Sequence, residues 1–143
     1  MHRITKLVAA TTLAALTTTA HGACSAATLK GVWGFSYDTF NLRNDVFCAG
    51  VGLMTFTPAA NLGRDGIKVS AQRESCNGTA VEIGSATGSY TVSSTCTARS
   101  NNLVYSPGSK IAKLDMNIVE AGKKLQFVLV INGVTLHGEA VKR

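Results

Sequence analysis

Leu114-Asp115-Met116-Asn117-Ile118-Val119-Glu120-Ala121-Gly122-Lys123-Lys124-Leu125-Gln126-Phe127-Val128-Leu129-Val130-Ile131-Asn132-Gly133-Val134-Thr135-Leu136 reads as a β-meander. Leu114, Met116 and Ile118 alternate with Lys113, Asp115 and Asn117, and across the turn Glu120–Lys123 Leu125, Phe127, Leu129 and Ile131 alternate with Gln126, Val128 and Val130. A period of two puts each apolar row on one face of a strand. Folding the segment back at that turn sets Ile118 against Leu125, Met116 against Phe127 and Leu114 against Leu129, so the two rows share a face. Asn132-Gly133 is a two-residue hairpin signal. It sets Ile131 against Val134, Leu129 against Leu136 and Phe127 against Gly138, with the last strand ending at Val141. Val128, Val130 and Val141 fall on the outer face, where they are ordinary surface or a subunit contact.

The same period recurs near the other end. In Gly31-Val32-Trp33-Gly34-Phe35-Ser36-Tyr37 the three rings leave one face of a strand spanning about Lys30 to Asp38. Further strands are expected over about Val51–Thr57, Gly66–Arg73, Thr79–Ile83 and Thr87–Ser93, and another begins at Cys96–Arg99. Ser100 to Lys110, polar and containing Pro107-Gly108, reads as a loop or flap over one end. No segment keeps an i, i+3, i+4 apolar pattern over three turns. Short strands at regular spacing with frequent glycine predict an all-β sandwich or barrel.

Residues 1–22 read as a cleaved secretory signal. Met1 to Lys6 is a basic start, Leu7 to Leu16 is an apolar run too short to span a membrane, and Ala20-His21-Gly22 places small residues before a cut at Ala23. His21, three residues before Cys24, argues against a lipid anchor. One β-domain is expected over 23–143, in the periplasm or outside the cell. Cleavage takes fourteen Lys and Arg to twelve, against eight Asp and Glu. This charge is dispersed rather than gathered in a basic stripe, which argues against a nucleic-acid partner.

Cys24, Cys48, Cys76 and Cys96 form an even set in an exported chain and imply two disulfides. Three connectivities are open. A hairpin centred near Leu62 sets Cys48 opposite Cys76, which favours Cys48–Cys76 with Cys24–Cys96. Neither C-x-x-C spacing nor an accompanying histidine suggests a metal site. Asn77-Gly78-Thr79 matches a glycosylation sequon, but Asn-Gly is first of all a turn.

Gly31-Val32-Trp33 resembles the G-x-W motif shared by lipocalins, avidins and related barrels, the calycins. Cys24 just upstream, and Gly88-Ser89-Tyr90-Thr91-Val92, are similar to avidin features. The resemblance implies an antiparallel up-and-down barrel of about eight strands, closed at one end by Trp33, with Lys142 or Arg143 over the indole. It also implies likeness to small exported bacterial barrels of unknown role. The second lipocalin motif is missing, and avidin-type biotin sites need several tryptophans where this chain has Trp33 alone.

No catalytic constellation stands out. His137, the histidine that remains after cleavage, falls opposite Val128 on the outer face. Asp38, Asp45, Asp65, Glu74, Glu82, Asp115, Glu120 and Glu139 fall mainly at strand ends, turns or polar faces. No phosphate loop or G-x-S-x-G is present. Neither an enzyme, a metal nor a cofactor is expected. The favoured expectation is a non-catalytic binding protein holding a small apolar or amphipathic ligand in or at the barrel mouth. The alternative is a filled barrel that binds another protein or self-associates, as a monomer or weak homo-oligomer. Trp33, Phe35, Tyr37, Tyr90, Met116 and Phe127 are the candidate ligand contacts, and equally the candidate core. A connected apolar pocket of about 300 Å³ or more would favour the ligand.

Overall fold

The computed structural model describes residues 23–41, 46–59, 65–108, 110–131 and 134–143. The signal segment, the Leu62 turn and Asn132-Gly133 lie outside them. A single helical turn, α1 (Ala26–Leu29), precedes nine strands: β1 (Gly31–Asn41), β2 (Val46–Thr57), β3 (Asp65–Cys76), β4 (Thr79–Ile83), β5 (Ser85–Val92), β6 (Thr97–Ser106), β7 (Lys110–Val119), β8 (Lys124–Ile131) and β9 (Val134–Lys142). All pairings are antiparallel, and β1 pairs with both β2 and β9, so the sheet closes on itself.

β4 and β5 share one edge of β3 in a single register. Cys76↔Thr79 runs to Gln72↔Ile83, and Val69↔Ala86 to Asp65↔Tyr90. They are one strand interrupted at Gly84, where a Cβ would strike the Ser106 carbonyl of β6. Counted this way the barrel has eight strands in simple up-and-down order.

The meander pairs as its alternation demands, Ile118↔Leu125, Met116↔Phe127, Leu114↔Leu129 and Phe127↔Gly138 included. Val128 faces His137 on the outer surface, and both are exposed. One expectation fails. Ser100 to Lys110 is not a flap: β6 covers Thr97–Ser106 and β7 starts at Lys110. A bulge at Asn101–Asn102 shifts the register against β7 between Ser100 and Leu103, so Ala98 and Ser100 face inward on one side of it and Leu103 and Tyr105 on the other. The bulge breaks the period of two that a strand is recognised by. β1, β2 and β3 also extend beyond their expected ends.

A second bulge lies in β3. Val51 pairs with Arg73 but Leu53 with Ser70, and Ala71 takes a φ of 49°. Ile67 and Val69 face inward before it, and Gln72 faces inward after it. The Asn77-Gly78 turn has both residues at positive φ, 47° and 85°, as a tight hairpin requires.

Side chains fill the barrel. Trp33, Phe56 and Tyr90 form edge-to-face contacts in one half, with centroids 6.2 and 5.1 Å apart. Tyr37, Phe35 and Phe127 form a second cluster. The Tyr37 ring lies over its cross-strand partner Gly50, where a Cβ would collide with it. Disulfides join Cys48 to Cys76 across β2–β3 and Cys24 to Cys96. Such cross-links persist in oxidising compartments.

Candidate functional site

The two barrel ends are built differently. At one, Cys24–Cys96 holds α1 across the opening and buries Leu29 completely. The Trp33 indole Nε1–H donates to the Leu29 carbonyl at 2.8 Å. Lys142 Nζ sits 5.5 Å from the Trp33 ring centroid and donates to the Thr28 carbonyl at 3.2 Å. Tyr90 OH donates to the Ala26 carbonyl at 3.4 Å. This end is plugged.

The other end carries a hollow of about 350 Å³. Its apolar wall comes from Val46, Ile83, Ile131, Val134 and Leu136. Tyr37, Thr39, Gln72, Glu74 and Tyr105 supply polar groups, Lys110 stands among the lining residues, and the Cys48–Cys76 bridge braces one side. Thr39 Oγ1 is spoken for, donating to the Thr135 carbonyl at 3.1 Å.

Gln72 is the centre of the polar set. It is 5% exposed, and its Nε2 donates to Tyr37 OH at 3.0 Å. The same amide acts on the Tyr105 hydroxyl and stabilises its ionised form. With Nε2 turned to Tyr37, Gln72 Oε1 is buried and has no hydrogen-bond partner. A buried acceptor left without a donor is costly and marks a site worth explaining.

Desolvation raises the Glu74 carboxyl above its ordinary 4.5, while the neighbouring Tyr37 hydroxyl pulls it partly back. Burial pushes Tyr37 up to about 12, opposed by the Gln72 hydrogen bond and reinforced by the Glu74 charge. Burial likewise pushes Tyr105 up to about 12. All three effects have one origin, ionisable groups gathered in an apolar barrel mouth.

Of the six residues expected from sequence, only Tyr37 lines this hollow. Trp33 and Tyr90 belong to the plugged half, and Phe35, Met116 and Phe127 are packed core. Gln72, Tyr105 and Leu136 were not anticipated. Glu74, expected on a solvated polar face, instead lines the mouth, because the Ala71 bulge reverses the facing of the strand beyond it. Ile67 and Val69 facing inward are incompatible, in a regular strand, with an inward Cys76 bonded to Cys48. That conflict is the sequence signal that a bulge lies between them.

A broader hollow lies against the outer wall between exposed Arg99, Asp115, Gln126, His137 and Glu139 and gathers no buried polar side chain. Among the described residues no helix is long and apolar enough to cross a membrane. Cys48, Glu74 and Cys76 place three potential ligand atoms close together, but the two sulfurs are bonded to each other and offer no thiolate.

No family model matches the chain, and no curated protein does. Two solved structures share the fold. One is a redesigned β-barrel, 18% identical, covering 83% of this chain and 95% of its own at a TM-score of 0.58. The other is the redesigned β-barrel mFAP1, solved bound to DFHBI, also 18% identical, covering 82% and 98% at a TM-score of 0.59. The class defined by fold and site is a closed eight-stranded antiparallel barrel, plugged at one end and hollow at the other.

Proposed function

We propose that this chain is an exported, non-catalytic binding protein that holds a small amphipathic molecule in the mouth of a calycin-like barrel. The observation carrying this reading is the hollow of about 350 Å³ that joins an apolar wall to the polar side chains Tyr37, Gln72 and Glu74. Ligand sites are typically concave and mostly apolar, with a few convergent polar groups. The plugged end supports the calycin comparison through Trp33 and Lys142. The barrel mFAP1, with DFHBI bound, supports the idea that such a fold can carry a small molecule. Two disulfides and the signal-like segment support export. The lining includes one carboxylate and no histidine, a poor set for acid–base or nucleophilic work.

Native mass spectrometry of the disulfide-bonded protein from its own host tests this. The expected result is a small-molecule adduct that Ile83→Trp, filling the hollow, removes without unfolding the chain. No adduct, together with no binding from a small-molecule panel, would sink the reading. A second reading, association through the outer wall, rests on exposed Val104 paired with Ile111, which is 61% exposed. Sedimentation velocity separates it, since it requires a dimer that Ile111→Lys dissociates.

A further inference from the structure

The polar end of the mouth gathers Gln72 and Glu74 beside Tyr37 and Tyr105. Gln72 Nε2 donates to Tyr37 OH, and its Oε1 is left as a buried acceptor without a partner. A carboxylate can only accept, so Glu74 adds further acceptor capacity and one negative charge. Among the described residues the ion pairs are Arg99–Asp115 and Lys124–Glu139, both on the outer wall, so Glu74 has no cation. Lys110 lines the same hollow from β7 but is exposed and does not reach Glu74 within ion-pair distance. The apolar part of the lining includes Ile83, Ile131 and Leu136.

A partly desolvated carboxylate without a cation is satisfied by a ligand that brings N–H donors and positive charge. We propose that the mouth binds an amphipathic amine, its ammonium or protonated-heterocycle head set against the Glu74 carboxylate, its apolar body against Ile83, Ile131 and Leu136. This rests on the mouth being a ligand site, and it names the chemistry that site selects. A fatty acid or other apolar anion would place its carboxylate against Glu74. A neutral alcohol would bring one donor and no charge. The groups facing Glu74 are Tyr37 on β1, Tyr105 on β6 and Lys110 on β7. Burial pushes both phenols up to about 12, so they stay protonated at neutral pH.

Calorimetric titration of the oxidised chain with octylamine, octanol and octanoate, which share one tail, tests the proposal. Octylamine is expected to bind about ten-fold or more tightly than either of the others, the scale of one charge-assisted contact. Glu74→Gln should bring octylamine down to the affinity of octanol, whereas Glu139→Gln on the outer wall should leave the preference intact. Equal binding of the three, a preference for octanoate, or an amine preference that survives Glu74→Gln overturns the amine assignment while leaving the mouth a ligand site. Binding of none of them, with no other small molecule bound, overturns both.

Discussion

Trp33 and Leu29 are joined by a 2.8 Å hydrogen bond from indole Nε1 to carbonyl oxygen, and this bond decides which end of the barrel is closed. It ties the first strand to the helical turn lying over it, and both residues are 0% exposed. Trp33→Phe removes the donor and leaves a buried carbonyl unsatisfied, at a cost of roughly 1–3 kcal/mol. Lys142→Ala removes the cation over the ring and costs about 0.5–1 kcal/mol. Urea denaturation of the two variants checks the order. A larger loss at Lys142 would contradict this account of the plug.

The two disulfides have separable effects. Cys24–Cys96 spans 72 residues of sequence and Cys48–Cys76 spans 28. Loop-closure entropy assigns them roughly 4.4 and roughly 3.6 kcal/mol. The paired Cys→Ser variants should therefore differ less in stability than in what they expose. Losing Cys24–Cys96 frees α1, so Trp33 emission shifts to the red in the still-folded protein. Losing Cys48–Cys76 loosens the mouth and leaves that emission unchanged.

Ala71 holds a φ of 49°, a conformation that costs an ordinary residue about 1–2 kcal/mol and glycine almost nothing. Ala71→Gly should hold or raise the melting temperature, and Ala71→Val should lower it. The reverse order would show that the bulge is not where the facing of Gln72 and Glu74 is set.

That bulge also marks the limit of what the sequence discloses. The meander from Leu114 to Val141 was legible because every strand in it keeps an unbroken period of two, and each turn returns the apolar row to the same face. The plug was legible from Trp33 and its basic partner on the last strand. The mouth was not. Its residues lie beyond Ala71 on β3 and beyond Asn101–Asn102 on β6, where an extra residue reverses the facing. Strict alternation from Ile67 and Val69 turns Gln72 and Glu74 outward, and alternation from Ala98 and Ser100 turns Leu103 and Tyr105 outward. Bulges occur where a strand must re-aim a side chain, so the positions hardest to read were those that build the site.

Glu74 makes a pH prediction with a definite sign. Burial raises its folded-state carboxyl above 4.5, so between that value and the folded one the native chain holds a proton the unfolded chain has lost. The stability linked to this proton is fully present below the unfolded value and is lost as pH rises through the folded one. Glu74→Gln should then melt higher than the parent at neutral pH, and the gap should close on acidification below 4.5. Melting curves followed by circular dichroism against pH read this directly, and a gap that widens toward acid would contradict it. A stabilising substitution that abolishes amine binding is the signature of a group kept for function. Tyr37, Tyr90 and Tyr105 carry the same sign at high pH. Burial pushes each to about 12, so stability should fall as pH rises from 10 toward 12.

The central claim is that small molecules enter at the mouth and not elsewhere. Amide chemical shifts of the isotopically labelled, oxidised protein, recorded as octylamine is added, test it most directly. The Trp33 indole N–H at the plugged end serves as an internal control. The account predicts saturable shifts at Tyr37–Thr39, Gln72–Glu74, Tyr105 and Val134–Leu136, with the Trp33 indole signal unmoved. Shifts centred on the outer wall around Val104 and Ile111, or on Trp33 itself, would contradict it.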